Sequence, residues 1–309
     1  MGTGQGEEFL GNVGRFSRNL LGASEGPGFS AAAGDPSLAE TSRPVPAIDP
    51  TRLEKQVGRV TEAFAEPSRL RRRCLDVLEF YASRVRQSGE GGGRTGAGRS
   101  LGVPVAVLRE LERVLRVSAA ADSHAAAMAA EALWATPVQE ARLLAIALLD
   151  RQPVDDLPSW VQAWVQTADD SLLLERLASG PLRHLRQDNL DLFWQTLAAY
   201  IQSRAPSQVT IGLLALQDAV AGVDAGDLPR VFALLAQAPP PQAGEAWRAQ
   251  VEVLREIARR SPAEAARHLV DEIERGRPGS TRLTRQVLNE FPPRQQEALR
   301  QSLRLGAGR

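Results

Sequence analysis

The chain has 309 residues, 43% of them hydrophobic and only 5% aromatic, so any core is built from Leu, Ala and Val, a composition that favours helix packed on helix. Formal net charge is zero, which excludes long-range steering of the whole molecule toward a polyanion. No apolar run approaches the length of a membrane span, and no basic patch followed by an apolar stretch opens the chain, so a soluble, cytoplasmic monomer is expected.

Residues 1–50 are dense in Gly, Pro and Ser and read as a weakly ordered segment. Within it Phe9, Val13, Phe16 and Leu20 recur at spacings of three and four, an amphipathic stretch that either docks on the body, binds a partner or frays in solvent. From Thr51 the pattern turns helical. Leu53, Val57, Val60 and Phe64 share one face, and Pro67 and Ser68 break the segment. A second helix over about 70–85 puts Leu75, Leu78 and Tyr81 on its apolar side. It carries the sole cysteine, Cys74, directly after Arg71, Arg72 and Arg73. One cysteine forms neither an internal disulfide nor a cysteine-based zinc site; burial as a small apolar residue outweighs activation by the neighbouring arginines.

Residues 88–100 form a glycine-rich loop with no strand before it and no Gly-Lys-Ser/Thr after it, so it is no phosphate-binding loop. Helical units then follow at 105–116, 123–135 and 138–150, the last opened by Pro137. Asp155 and Asp156 precede a tryptophan-bearing helix at 160–166. The next helix starts near Asp170 and stops at Gly180 and Pro181. Asp188 is placed to cap a helix at 189–204, Pro206 opens 208–222, and Asp227 with Pro229 opens 230–238. Helices at about 244–260, 262–275, 279–288 and 294–304 end the chain. About a dozen helices joined by short turns, with no alternating β-branched runs, predict an all-α, HEAT-like helical-repeat solenoid over 51–309; a compact helical bundle is the alternative.

The segments LGVPVAVLRELERVLR (101–116), ALWATPVQEARLLAIALL (132–149), WVQAWV (160–165) and VLREIARRSPAEAARHL (253–269) carry a resemblance. Together they resemble the bacterial DNA alkylation repair family of HEAT-like glycosylases over roughly 100–305. Trp134 with Glu140 and Arg142 is the most specific part of the match. The resemblance implies an α-α superhelix whose concave, Arg/Lys-lined groove holds duplex DNA. It also implies excision of N3- and N7-alkylated purines, without flipping the base into a pocket. In that family two tryptophans pack on the deoxyribose, an aspartate faces the sugar as it gains positive charge, and an arginine holds a phosphate.

This chain departs from that constellation. The family's Trp-Asp-x-x-Asp run reads Thr167, Ala168, Asp169, Asp170, Ser171 here. A one-residue slip would make Asp170 the carboxylate. Gln208 and Val209 stand where the arginine belongs, with Arg204 the nearest upstream, and Glu252 stands in place of the second tryptophan. The scaffold is expected to be kept and the catalytic set lost, leaving Asp170 and Glu252 as the weak catalytic candidates.

Trp160 and Trp164, four apart, and Trp134 read as core packing, while Trp247, after a Pro-rich loop, is expected to be the most exposed tryptophan. His124, His184 and His268 are scattered, so neither a metal nor a cofactor is expected. The pairs Asp155, Asp156 and Asp169, Asp170 read as helix-start caps. Glu140 near a helix start and Arg142 beside it read as architectural. Candidate nucleic-acid contacts are Arg71, Arg72, Arg73, Arg204, Arg259, Arg260 and Trp247. The partner is either double-stranded DNA or a protein on the concave face; a continuous basic lining would mark the first, a neutral or apolar one the second.

Overall fold

The computed structural model describes residues 48–86, 99–168, 170–222, 225–238 and 243–306. The amphipathic stretch at 9–21, most of the glycine loop and Asp169 lie outside the described residues. Among the described residues the chain from Ile48 onward is helical throughout and contains no strand; its one β-bridge joins Arg99 to Val138. None of these helices is long and apolar enough to cross a membrane.

The helices form two rows, as the helical-repeat superhelix requires. The first row contains α1 (Pro50–Thr61), α3 (Val105–Ala121), α5 (Gln139–Leu149) and α7 (Ser171–Leu177) with its continuation α8 (Arg183–Asp188). It goes on through α10 (Pro206–Val220), α12 (Gly244–Arg260) and α14 (Ser280–Val287). Each packs on the next in that order. The second row holds α2 (Pro67–Arg86), α4 (Ser123–Trp134), α6 (Leu157–Val165), α9 (Leu190–Ile201), α11 (Leu228–Gln237), α13 (Pro262–Glu274) and α15 (Pro293–Gly306). Here α2 packs on α4, α9 on α11 and α13 on α15, while α4 seals against α5 and α9 against α10.

Periodicity explains why the rows close on each other. Leu53, Val57 and Val60 of α1, and Val107, Leu111, Leu115 and Ala119 of α3, are all buried at spacings of three and four. Full burial of each such leucine or valine contributes roughly 1.5–3 kcal/mol. α5 is buried nearly all round, from Ala141 to Leu149, because it lies between α3, α4 and α7.

Several boundaries differ from the sequence reading. Pro67 opens α2, in the first-turn position where its missing N–H costs nothing. Asn189, not Asp188, caps α9, accepting the Leu192 N–H at 3.1 Å. Asp155 and Asp156 lie in a 3-10 turn (Val154–Asp156) and make no side-chain cap; Asp155 accepts from the Asn189 amide at 3.4 Å. Gly180 and Pro181 do not end their helix. The chain passes through them as a π-turn, Ala178–Leu182, and continues directly into α8. Proline has no N–H to donate into an α-helical ladder, and the wider turn accommodates it inside a continuous rod.

Candidate functional site

Several of the residues that the resemblance sets against the catalytic positions are held in intramolecular contacts. Trp134 stacks on Trp164 with centroids 4.4 Å apart and rings 4° from parallel, and Trp160 meets Trp164 edge-on at 5.6 Å. The Trp134 indole N–H donates to Thr167 Oγ1 at 3.0 Å, and that hydroxyl donates on to the Trp164 carbonyl. Arg142 donates to the carbonyls of Trp134 and Thr167. Thr167 thus satisfies a neighbouring indole.

Asp170 is the N-cap of α7: Oδ1 accepts the Leu172 N–H at 2.8 Å, and Oδ2 accepts from the Gln139 side-chain amide. Ser171 is the exposed first residue of that helix. Val209 is buried, and Gln208 accepts a hydrogen bond from the Ser203 hydroxyl. Glu252 is held by Arg255 at 2.5 Å.

The candidate contact residues are not gathered on one surface. Arg71, Arg72 and Arg73 lie on α2, in the second row, with Arg71 and Arg72 exposed. Arg204 is exposed in the turn between α9 and α10. Arg259 and Arg260 end α12 in the first row; Arg259 pairs with Glu256 at 2.9 Å and Glu290 at 3.6 Å, and Arg260 donates to the Val220 carbonyl. Trp247 contradicts its expected exposure. It is only 6% accessible, its indole N–H donates to Gln286 at 2.8 Å, and the Arg282 guanidinium lies over its ring at 4.5 Å. The helix start after a Pro-rich loop was a poor guide, because α12 packs this first turn against α14.

A different cluster stands out. An open cleft of about 450 Å³ lies between α3, α5 and the rod formed by α7, the π-turn and α8. Its arginines are Arg116, Arg151, Arg176 and Arg183, beside the His184 imidazole, and its carboxylates are Asp150 and Glu112. Arg116 pairs with Asp150 at 2.8 Å, and Arg183 makes a two-pronged bond to Asp218. Asp150 is the C-cap of α5, at the negative end of a helix dipole, and it lies beside the π-turn: a Cβ on Gly180 would stand 3.7 Å from its Oδ1. Burial pushes its carboxyl above the usual carboxylate range, with the Arg116 and His184 charges opposing the shift.

Across the π-turn the charge reverses. A second cleft of about 680 Å³, between α7, α10 and α12, is lined by Glu175, Asp218, Glu245 and Glu252, with Arg248 the one cation among its lining residues.

The sequence reading missed the basic cleft because it ended a helix at Gly180. Arg176 and Arg183 are seven apart, a spacing that places both near one face only if the helix runs on.

A family model described as DNA alkylation repair enzyme matches residues 91–286. A search of curated proteins found none that matches the chain.

Proposed function

The chain belongs to the DNA alkylation repair enzyme family and its function is DNA-repair-related; on that premise we propose that it binds duplex DNA through the basic cleft of α3, α5 and α8 and does not excise alkylated bases efficiently. The observation that carries the reading is the cleft itself. α3, the turn after α5, and the rod of α7 and α8 each bring arginine to one open concavity, an arrangement suited to a sugar–phosphate backbone. Arg151 and Arg176 are exposed there and, among the described residues, neither is joined to a carboxylate in an ion pair, although the Asp150 charge acts on Arg151. The second half of the proposal rests on the aligned positions: Thr167, Asp170, Gln208 and Glu252 are all held in intramolecular contacts.

A duplex on this face is confined to the basic half, because the carboxylates lining the next cleft repel phosphate. That acidic lining is also what favours a second reading, a scaffold that binds a protein partner there instead of DNA.

The test is duplex binding as a function of salt. Under the first reading affinity falls steeply as salt rises, because phosphate contacts release counterions. Replacing Arg151 and Arg176 with Gln weakens binding and flattens the salt dependence. Replacing Arg71 and Arg72 on α2 does so less. Binding that ignores salt, or that depends on α2 alone, overturns the assignment to the cleft.

A further inference from the structure

Asp150 is an anomalous residue for a surface that contacts phosphate. It places negative charge at the centre of the cations, at the end of α5 where the helix dipole already disfavours it. It is half-buried, with Arg116 as its ion-pair partner, and a Cβ on Gly180 of the π-turn would stand 3.7 Å from its Oδ1. π-Turns within α-helices concentrate at functional positions. The groups facing Asp150 are Glu112 and Arg116 from α3, Arg151 beside it, Arg176 from α7, and Arg183 and His184 from α8. Of these, Arg116 is ion-paired to it, and Arg183 is already committed to Asp218 on α10.

We infer that Asp150 is a resident counter-ion of the cleft, holding Arg116 in an internal ion pair that competes with a backbone phosphate for the same guanidinium. The inference rests on the reading of this cleft as a phosphate-contacting surface and adds to it a device that limits affinity. With Asp150 ionised the cleft offers Arg151 and Arg176 with no ion pair to break and Arg116 only by exchange. With that charge removed, Arg116 joins them. A carboxylate and a phosphate present similar planar pairs of oxygens to a guanidinium, so the exchange needs no rearrangement of α3.

The experiment is a double-mutant cycle read by the salt dependence of binding to a short duplex. Asp150→Asn is expected to tighten binding severalfold at low salt and to steepen the plot of log affinity against log salt by about 0.9, the signature of one added phosphate contact. Adding Arg116→Gln in that background abolishes both the gain and the extra slope. Asp76→Asn, which removes an exposed charge on α2, leaves the slope as it was. An unchanged slope in Asp150→Asn, or a gain that survives loss of Arg116, overturns the inference. Circular dichroism checks that each variant is folded, and Asp150→Ser reads the same quantity if the asparagine variant is not. Should the unaltered protein show no salt-sensitive duplex binding, the DNA reading fails, and titration with inorganic pyrophosphate then judges the inference alone. Tighter pyrophosphate binding by Asp150→Asn that depends on Arg116 supports it; equal binding overturns it.

Discussion

The carboxylate of Glu140 grips the backbone of Leu101, 39 residues earlier in the chain, with Oε1 and Oε2 accepting the same N–H at 2.9 and 3.0 Å. Oε1 also accepts from the Gly102 N–H at 2.8 Å and from the Ser100 hydroxyl at 3.0 Å. Glu140 is only 3% accessible, so these donors replace its water. They tie the end of the glycine loop to the start of α5, beside the bridge that Arg99 makes with Val138.

Glu140→Gln is expected to destabilise the fold by about 2–3 kcal/mol. The amide nitrogen faces N–H groups it cannot accept from, and a charge-assisted set of bonds becomes a neutral, partly unmatched one. Denaturant unfolding measures it. A loss below about 0.5 kcal/mol, within the range of ordinary surface substitutions, would mean that the loop end is not held by this carboxylate.

Gly212 sets how closely α9 and α10 approach. A Cβ there would stand 2.8 Å from Ile201 Cγ1, 3.2 Å from the Ile201 nitrogen and 3.2 Å from Tyr200 Cβ. The backbone cannot give way as a side chain can. Gly212→Ala is therefore expected to destabilise by about 1–3 kcal/mol through overpacking, despite the better helix propensity of alanine. Thermal unfolding decides the sign, and a stabilised variant would show that the two helices can part at no cost.

Much of this architecture is legible in the sequence because leucine and valine repeat at helical spacing and because proline marks helix starts. Pro50, Pro67, Pro158, Pro206, Pro229, Pro262 and Pro293 all lie in first turns. The companion rule, that proline stops a helix, misled at Pro181, where a wider turn lets a proline sit inside a rod. That single misreading separated Arg176 from Arg183 and hid the basic cleft. Asp150 was invisible for another reason: its meaning comes from Arg116 and Gly180, which lie 34 and 30 residues away in sequence. The fate of Trp247 was likewise tertiary, since nothing near it in sequence announces Arg282 and Gln286.

Cys74 is fully buried on α2, and burial pushes its thiol up to about 12 in spite of the arginines before it. Cys74 is a small buried residue of the core, as expected. The sign of its pH dependence follows from the proton count. Between the ordinary value of 9.0 and about 12 the unfolded chain releases a proton that the folded chain keeps. The contribution is intact below pH 9 and is lost as pH rises above it, by up to about 1.4 kcal/mol per pH unit. Cys74→Ala is expected to flatten the stability profile above pH 9. Modification by a thiol reagent at pH 8 should proceed only as fast as the protein opens; rapid labelling of the native state would contradict the burial.

The last prediction concerns base excision. Purified protein is expected to release neither 7-methylguanine nor 3-methyladenine efficiently from methylated duplex DNA. The reaction that the resemblance implies needs a fixed carboxylate beside a sugar that becomes positive, aromatic walls around that sugar, and a phosphate clamp. In the register that the resemblance implies, Ser171, the exposed start of α7, falls at the carboxylate position, and the neighbouring Asp170 has one oxygen on the Leu172 N–H and the other on Gln139. Thr167 serves the Trp134 indole, and Glu252 is bound to Arg255. Losing one electrostatic element of this kind typically costs about 2.7–4 kcal/mol in transition-state stabilisation, though several losses need not add. A base-release assay reads the outcome directly. Robust excision would overturn the prediction. If Asp170→Asn then abolished it while leaving the α7 cap intact, which asparagine can do, Asp170 would be the reacting carboxylate. Excision that survives that change but fails in Glu252→Gln would move the role to α12, where a glutamate offers charge but no stacking surface.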